Sequence, residues 1–311
     1  MVIINKGTNG WIIVDKQIGI TSRQVVTKIS KMLSIKKVGH GGTLDPLATG
    51  VLPIAIGEAT KVISFVQNKT KKYSFVIKWG ESTETDDTEG RVLEKSESRP
   101  TYQEITNILE SFVGNVFQKP PIYSAIKING QRSYKLARKN IEIEHEFRKV
   151  QIHELILKKL IDNNSAEFEV ECGKGTYVRS LARDMAEKLN TKGHIISLRR
   201  LSVGPFNEKD TIFIDFSKEI IHSPSVLDKI LPTKTVLDDI PALVLNEIEA
   251  RRVEQGQKIK LNSLQFIKQF ELKYPNYNGF EKICAINDNK LVALLKIENG
   301  IIRPVRIIRL N

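Results

Sequence analysis

The sequence predicts an α+β fold, in which a mixed, largely antiparallel sheet with flanking helices precedes a small C-terminal β-barrel-like domain. Strand and helix patterns are interspersed along the chain, which indicates a mixed fold. The predicted strands alternate in polarity and are not solid apolar blocks, a pattern that favours an antiparallel sheet buried on one face. The last part of the chain consists mostly of short strands, as small barrels do.

The individual elements follow from the spacing of apolar residues. Solid or alternating apolar runs predict strands at residues 11–14, 73–79, 142–161 (one strand or two), 166–171 and 194–201. Apolar residues at helical spacing predict helices at 22–33, 101–112 and 178–189. Ser22 is predicted to cap the first helix, and Thr101 with Glu104 forms a capping box on the second.

A domain boundary is predicted in the weakly periodic stretch 223–241, which Pro224, Pro232 and Pro241 punctuate. We therefore expect a larger domain at residues 1–230 and a smaller one at residues 231–311. In the smaller domain, the pattern predicts a helix at 246–255 and strands at 282–286, 291–297 and 302–308.

The composition excludes several classes of protein. The chain has 311 residues, 41% hydrophobic and 27% charged, so it is neither disordered nor fibrous. Two cysteines are too few for a disulfide framework or a zinc quartet, and we expect a reducing, cytoplasmic compartment. No apolar run is long enough to span a membrane, and residues 1–6 lack the apolar core of a signal peptide.

The net charge of +12 points to a polyanionic partner such as nucleic acid, although a generally lysine-rich composition explains it equally well. The charge is unevenly distributed. Residues 81–98 carry seven acidic and two basic side chains, whereas residues 125–160 carry nine basic and four acidic ones. This asymmetry indicates a directed basic face, while any single lysine in it is more often simply solvated.

Residues 39–53 form the most unusual stretch of the sequence. Four glycines and two prolines among 15 residues predict an irregular loop of defined shape. Asp45 is the carboxylate of this loop, and the following Pro46 restricts it to extended geometry. The loop lacks a phosphate-binding pattern, and His40 and Asp45 lack further ligands at metal-site spacing. On these residues alone, Asp45 either caps a turn or carries chemistry.

The loop resembles the catalytic loop of TruB-type tRNA pseudouridine synthases, Gly-His-x-Gly-x-Leu-Asp-Pro-x-Ala-x-Gly-x-Leu-Pro, at every fixed position. Further blocks are similar to those of the family and occur in the same order. They lie at residues 14–16, 19–22, 71–73, 85–90, 118–127, 134–138, 172–181 and 198–200. The resemblance covers residues 11–205 and implies the pseudouridine synthase fold. The C-terminal segment resembles, more weakly, the PUA domain that many members carry.

The resemblance implies that the chain isomerises a T-loop uridine of tRNA, at position 55, to pseudouridine by base flipping and without a cofactor. In the family, the residue at Asp45 is the catalytic carboxylate, which attacks C1′ or removes the 2′ proton. The position of Arg179 implies that it keeps Asp45 charged. Tyr73 matches the tyrosine that stacks on the displaced uracil and takes part in proton transfer.

The resemblance also implies substrate contacts. His40 would stack in the space left by the flipped base, Tyr177 would pack beside Arg179, and Leu198 would form an apolar wall. The predicted phosphate contacts are Lys127, Arg132, Lys135, Arg138 and Lys139, with Lys36, Lys37, Arg199 and Arg200 near the loop. The expected partner is the T stem-loop of tRNA, with no membrane, no metal and no required protein partner, and the chain is expected to act as a monomer.

Three alternatives to a stand-alone synthase stay open: an RNA-folding factor that keeps the loop, a guide-RNA-dependent relative in a larger particle, and a hydrolase. The retained Asp45, Tyr73 and Arg179 favour the synthase. The short C-terminal segment argues against the guide-dependent relative, and no second acid is predicted to lie beside Asp45 as hydrolysis requires. The acidic stretch 85–90 lacks EF-hand spacing and is interpreted as a turn between strands.

Overall fold

A nine-stranded sheet forms the framework of the first two-thirds of the chain. The computed structural model describes residues 8–215, 224–277 and 282–309. The strands before residue 210 are β1 (Gly10–Lys16), β2 (Val38–His40), β3 (Thr49–Ile56), β4 (Lys71–Trp79), β5 (Glu81–Thr83), β6 (Val92–Lys95), β7 (Gly114–Gln118), β8 (Lys127–Ile128), β9 (Gln131–Arg132), β10 (Arg148–Asp162), β11 (Ser165–Cys172), β12 (Gly193–Val203) and β13 (Phe206–Asn207).

The large sheet has the strand order β1-β3-β12-β4-β11-β10-β7, with β2 paired to β3 and β13 paired to β12. Its pairs are antiparallel except for the short parallel pair of β3 with β12. This arrangement confirms the predicted mixed, largely antiparallel sheet. Strands β5 and β6 form a separate hairpin, so the acidic stretch 85–90 is the turn that the sequence predicted.

Eight helices accompany the strands in the described residues. They are α1 (Ser22–Met32), α2 (Ile63–Asn68), α3 (Tyr102–Leu109), α4 (Ser133–Ala137), α5 (Val178–Lys188), α6 (Pro224–Leu227), α7 (Glu247–Glu254) and α8 (Ile267–Lys273). The longest has 11 residues, and within the described ranges no helix has the length and apolar character to cross a membrane.

Several predicted boundaries are wrong for identifiable reasons. Helix α1 is capped by Thr21, because the Thr21 hydroxyl accepts from the backbone N–H of Gln24 and Ser22 already lies inside the helix. Residues 110–112 form a 3-10 turn after α3, and β10 begins only at Arg148, where pairing with β7 starts. Helices α2, α4, α6 and α8 were not predicted.

The stretch 39–53 is loop only in its middle, since β2 and β3 occupy its two ends. The glycines and prolines are compatible with a strand here for a local reason. Gly50 has φ +97°, and a Cβ at this position would lie 2.3 Å from the backbone O of Arg200 on the neighbouring strand. The glycine therefore permits the close approach of β3 to β12.

Helices α1, α3 and α5 cover one face of the sheet. Apolar residues from all three pack with the inward face of β4 in one cluster, including Ile29, Ile105 and Met185. On β4 the alternation in burial is regular, with Phe75 and Ile77 buried in that cluster and Ser74, Val76 and Lys78 only half-buried. At about 25 cal/mol per Å² of apolar surface removed from water, this cluster is a main source of the stability of the fold.

The C-terminal part contains a second, five-stranded sheet. Its strands are β14 (Ala242–Val244), β15 (Ile259–Lys260), β16 (Ile283–Asn287), β17 (Lys290–Glu298) and β18 (Ile301–Ile307), in the order β14-β16-β17-β18-β15. Helices α7 and α8 contribute Val253 and Phe270 to its core. The sheet confirms the predicted small β domain, while the division at residue 230 stays a prediction, because residues 216–223 beside it lie outside the described part, as do 1–7.

The C-terminal sheet packs against the other face of β1 and β3. Trp11 and Val51 share a cluster with Leu294 and Ile308, so both faces of β1 and β3 are buried. Backbone bonds of 2.8 Å in each direction between Trp11 and Leu231 extend the contact. Burial on both faces explains why the sequence of these strands is a solid apolar run.

Glu58 is a charged anchor between the two parts of the protein. Its carboxylate accepts from Lys61 (2.5 Å), from Lys37 (3.1 Å) and from the backbone N–H of Arg309 (3.0 Å), beyond β18. Burial alone would raise the pKa of Glu58, but these hydrogen bonds lower it to about 2. The charged form of Glu58 therefore stabilises the folded protein.

We expect Glu58→Gln to lower the free energy of unfolding by about 1–3 kcal/mol at pH 7, because the variant replaces charged hydrogen bonds by neutral ones. A carboxylate whose pKa is lower in the folded state stabilises above its unfolded value, 4.5, and this contribution disappears as the pH falls towards 2. The gap between variant and wild type should therefore shrink below about pH 4.5. Urea titrations at several pH values measure it, with Glu247→Gln, whose side chain is 75% exposed, as control. An unchanged gap at pH 3.5 would contradict the assignment.

Candidate active site

The loop that carries Asp45 is pinned by backbone contacts to its surroundings. Pro46 O accepts from Gly19 N at 2.8 Å, and Pro53 O accepts from Gly41 N at 2.8 Å. At the start of α1, the Ser22 hydroxyl accepts from Leu44 N (2.8 Å) and donates to Leu44 O (3.0 Å). The loop conformation is therefore set from both sides of Asp45.

Arg200 donates hydrogen bonds to the same loop from the neighbouring strand β12. It is 1% exposed, and its guanidinium donates to Val51 O at 2.7 Å and to Gly42 O at 3.1 Å. A buried side chain with these partners has no access to RNA. The prediction that Arg200 contacts a phosphate is therefore not supported, because β12 turns Arg200 inward, and its observed role is to hold the loop.

Asp45 and Arg179 form the central ion pair of the site. Arg179 Nε lies 2.9 Å from Asp45 Oδ2, and the side chains of Arg179 and Asp45 are 5% and 33% exposed, respectively. The two remaining nitrogens of Arg179 donate to Thr85 O (2.8 Å) and Tyr123 O (3.0 Å). All three nitrogens of the guanidinium are engaged, so its orientation is fixed while the carboxylate stays accessible.

A second carboxylate, Asp87, lies behind this pair. Its Oδ2 is 3.6 Å from Arg179 Nε, and its Oδ1 accepts from Glu89 N at 2.9 Å. Burial alone would lower the pKa of Arg179, but Asp45, Asp87 and the nearby Asp86 raise it above its usual value. Arg179 is thus a permanent cation among several acids.

Asp87 is a second acid near Asp45 that was not predicted from the sequence. Asp87 is almost fully buried, because the hairpin turn between β5 and β6 folds back onto α5. The acidic run after β5 was the signal in the sequence for this residue. It was interpreted as a turn, and no arginine was assigned to its acids. Asp87 raises the pKa of Arg179. Because Asp87 is buried, it is not open to solvent as the second acid of a hydrolase would have to be.

Lys16 is a functional candidate that the sequence did not single out beyond its family block. It is fully buried at the end of β1, and its ammonium donates to Ile20 O (2.7 Å), Gln17 O (3.0 Å) and Pro46 O (3.2 Å). Burial lowers the pKa of Lys16 to about 8, although the nearby Asp45 opposes the shift. Lys16 therefore places a cation beneath the residue that follows Asp45.

The two predicted aromatic residues lie near Asp45. Tyr73 is on β4 opposite Arg200, and burial raises its pKa, against the effect of the Arg200 guanidinium, so its hydroxyl stays protonated at neutral pH. Tyr177 immediately precedes α5, where its backbone exchanges two hydrogen bonds with the Gln118 side chain (2.8 and 3.1 Å). Burial is the main cause that raises the pKa of both tyrosines, and the charge of Asp45 raises both further.

His40 and Leu198 lie on strands that flank the loop. His40 ends β2, burial lowers its pKa so that the ring is neutral, and its Nδ1 has no hydrogen-bond partner among the described residues. Leu198 is buried on β12 opposite Phe75 of β4. These two positions agree with an apolar, uncharged surface close to the carboxylate.

The predicted basic residues fall into two groups. The cluster between β7 and β10 is exposed, and it consists of Lys127, Arg132, Lys135, Arg138 and Lys139. By contrast, Arg199 is engaged by Asp15 (3.0 Å) and Glu208 (2.6 Å), and Lys37 by Glu58. The exposed group, which we call the basic cluster, is placed to meet a polyanion, and so is the exposed Lys36 before β2.

The chain matches two family models. One, described as TruB family pseudouridylate synthase (N terminal domain), matches residues 30–178. The other, described as tRNA pseudouridylate synthase B C-terminal domain, matches residues 179–237. The two matches meet between Val178 and Arg179, at the start of α5.

Curated proteins named tRNA pseudouridine synthase B are similar to almost the whole chain. The protein of Rhodospirillum rubrum is 46% identical over 305 residues, covering 97% of each chain. That of Ehrlichia ruminantium is 40% identical over 301 residues, covering 96% of this chain and 98% of its own length. The similarity therefore includes both the large sheet and the C-terminal part.

Solved structures share the fold at lower sequence identity. A Cbf5–Nop10–Gar1 complex contains a chain with a TM-score of 0.72 and 22% identity, covering 98% of this chain and 86% of that one. An H/ACA RNP bound to a substrate RNA containing 2′-deoxyuridine gives a TM-score of 0.71 and 21% identity, with coverage of 99% and 88%. These likenesses confirm the predicted fold class.

We expect Lys16→Met to change how stability depends on pH. Because the pKa of Lys16 is about 8 when folded and 10.5 in its ordinary state, the unfolded chain holds an extra proton between these values. Wild type should therefore gain stability relative to the variant as the pH rises from 8 to 10, by up to about 1.4 kcal/mol per pH unit. Urea unfolding measures this difference. Lys31→Met, exposed on α1, is the control, and parallel curves for Lys16→Met and wild type would disprove the assignment.

Proposed function

Because the chain belongs to the TruB family of pseudouridylate synthases, and is a tRNA pseudouridine synthase and thus an isomerase, we propose that Asp45 is its catalytic carboxylate. We further propose that the substrate is the uridine at position 55 of the tRNA T loop, which reacts after flipping out of its stack. The observation that carries the proposal is the ion pair between half-buried Asp45 and buried Arg179.

The reaction needs a carboxylate that is charged, oriented and open to the sugar. Arg179 holds Oδ2 of Asp45, while Oδ1 receives no hydrogen bond from the described residues, and a third of the side chain is exposed. In the isomerisation, the N1–C1′ bond breaks, C5 bonds to C1′, C5 loses its proton and N1 gains one. Asp45 Oδ1 serves either as nucleophile towards C1′ or as base towards the 2′ hydrogen, and both routes use this same open oxygen.

The surroundings of Asp45 suit a nucleotide that has left its stack. Unstacking costs a few kcal/mol, and stacking on an aromatic ring contributes about 1–3 kcal/mol per base. Tyr73 supplies the ring and a protonated hydroxyl, and neutral His40 supplies a flat surface for the vacated position. Leu198 closes the apolar side of the pocket, and Tyr177 fixes the start of α5 that carries Arg179.

The basic cluster supports binding of the RNA backbone close to this pocket. It belongs to the segment that begins at Tyr123, whose carbonyl is bonded to Arg179. Burial raises the pKa of Glu89, Asp45 raises it further and Arg138 of the cluster lowers it, so both Asp45 and Arg138 act on Glu89. Phosphates bound by the cluster would follow the segment that holds Arg179, and the T stem-loop offers phosphates on both sides of its uridine.

We expect Asp45→Asn to abolish pseudouridine formation, with a rate at least about 10³-fold below wild type, and to leave the Kd for tRNA within about threefold. The amide keeps the shape of the side chain but cannot attack C1′ or accept the 2′ proton. Purified protein and an unmodified tRNA transcript suffice, with the modified position mapped by chemical labelling and primer extension. Asp239→Asn, an exposed carboxylate paired with Lys69, is the matched control.

The RNA-folding and guide-dependent alternatives predict different results of this assay. Wild-type rates in Asp45→Asn would disprove the catalytic assignment, and modification at another position would disprove the choice of uridine. Binding without modification by wild type would identify an RNA-folding factor. Activity that appears only with a guide RNA or added protein would identify a guide-dependent enzyme.

We expect the triple variant Lys127→Gln, Lys135→Gln, Lys139→Gln to weaken binding of every tRNA to a similar extent, because phosphate contacts do not depend on sequence. Its plot of log K against log salt should be shallower by about 0.7–0.9 for each phosphate that the variant no longer neutralises. The control is Lys158→Gln with Lys159→Gln, since these lysines on β10 are paired with Glu169 and Glu167. Equal salt slopes for the triple variant and wild type would place the RNA elsewhere.

A further inference from the structure

Two arginines of α5 bridge the same two segments of the protein. Arg179 donates to Thr85 O and Tyr123 O, as described above. One helical turn later, Arg183 donates from Nη1 to Asp86 Oδ2 (2.9 Å) and from Nη2 to Lys119 O (2.8 Å). Asp86 directly follows Thr85, and Lys119 lies four residues before Tyr123 along the chain.

The two arginines therefore form parallel bridges across one gap. We call them the arginine ladder, in which Arg179 is the rung that touches Asp45 and Arg183 is the outer rung. Residues four apart on a helix point in the same direction, so both rungs leave α5 on one face. Thr85 O and Tyr123 O, the two backbone acceptors of Arg179, lie on these two segments. The separation of the segments therefore sets the distance between the two acceptors.

The outer rung is built from firmly held groups. Asp86 occupies the left-handed region, with φ +60°, and its carbonyl accepts from Ile195 N of β12 at 3.1 Å. Lys119 O also accepts from the Ser180 hydroxyl at 2.9 Å. Asp184 Oδ1 accepts from Nη2 (2.9 Å) and Nε (3.1 Å) of Arg183. A shift of Arg183 would thus be transmitted to Thr85 and to the start of the 119–123 segment.

Arg183 also borders open space. With Asp86 and Lys119 it lines a cavity of about 750 Å³ whose walls do not include Asp45, and its side chain is 24% exposed. It does not touch Asp45 or Tyr73 in the hydrogen bonds and ion pairs of the described residues. Its removal opens no sealed cavity in the core, so the protein should still fold without it.

We propose that Arg183 is a positioning residue for pseudouridine formation, which sets the geometry of the Asp45–Arg179 pair by holding Asp86 and the Lys119 carbonyl at a fixed separation. The inference rests on the proposed role of Asp45. It predicts that the outer rung affects the rate of the chemical step and not the affinity for tRNA. Misplacing reacting groups by about 1 Å can cost on the order of 100-fold in rate.

The test compares Arg183→Gln, Arg183→Lys, Asp86→Asn and the double variant Arg183→Gln/Asp86→Asn with wild type. Single-turnover rates at saturating enzyme, the Kd for tRNA and the melting temperature are measured for each. Arg183→Gln should lower the rate roughly 10- to 100-fold, with Kd within about twofold and the melting temperature within about 3 °C. Arg183→Lys should recover part of the rate, because an ammonium can reach one acceptor but cannot bridge both as a guanidinium does.

The double variant separates positioning from the cost of an orphaned charge. Asp86→Asn weakens one of the two bonds of the outer rung, so its rate should fall less than that of Arg183→Gln, and the double variant should match Arg183→Gln. Recovery of the wild-type rate in the double variant would overturn the proposal, since the unpaired carboxylate would then explain the whole effect. Multiplication of the two single effects would overturn it as well.

A control variant on α5 and the comparison with Asp45→Asn distinguish the remaining outcomes. Lys188→Gln removes an exposed cation from the same helix and should keep the wild-type rate. A wild-type rate in Arg183→Gln overturns the proposal, and so does a rate decrease that follows a lower melting temperature and is not recovered by Arg183→Lys. If wild type is active, Asp45→Asn is inactive and Arg183→Gln is fully active, only this inference fails. If Asp45→Asn is active, the proposed function itself fails.

Discussion

The burial of one guanidinium constrains the rest of this site. Removing a cation from water costs several kcal/mol unless its donors are used, and Arg179 uses them on Asp45, Thr85 and Tyr123. These acceptors come from three segments that are far apart in the sequence. The sheet and α5 must therefore bring all three together before Arg179 can be buried at all, and the position of the Asp45 carboxylate is a property of the whole fold.

Two buried cations that donate to backbone carbonyls hold the loop that carries Asp45. Arg200 holds Gly42 and Val51, and Lys16 holds Ile20 and Pro46. Each of these bonds fixes a loop that has few side chains of its own for packing. In the proposed function, a nucleotide that arrives at Asp45 meets a preformed surface, and the energy of binding is available for unstacking the base instead of ordering the loop.

The sequence predicted the elements that depend on local patterns. The alternation in β4 and the capping box before α3 were sufficient, because each signal lies within a few neighbouring residues. Asp87, Lys16 and Arg183 were overlooked, because their importance arises only when distant segments meet. Arg200 was misjudged although a signal existed: it lies two residues after buried Leu198 on one strand, and such residues share a face.

The two-sided burial of β1 and β3 has a consequence for how this protein can evolve. The C-terminal sheet covers an apolar surface that includes Trp11 on β1 and Val51 on β3. Strand β3 leads out of the Asp45 loop. A lineage could not discard or exchange this part for an unrelated module without exposing that surface to water. Truncation of the C-terminal part would therefore destabilise the large sheet as well as remove any function of its own.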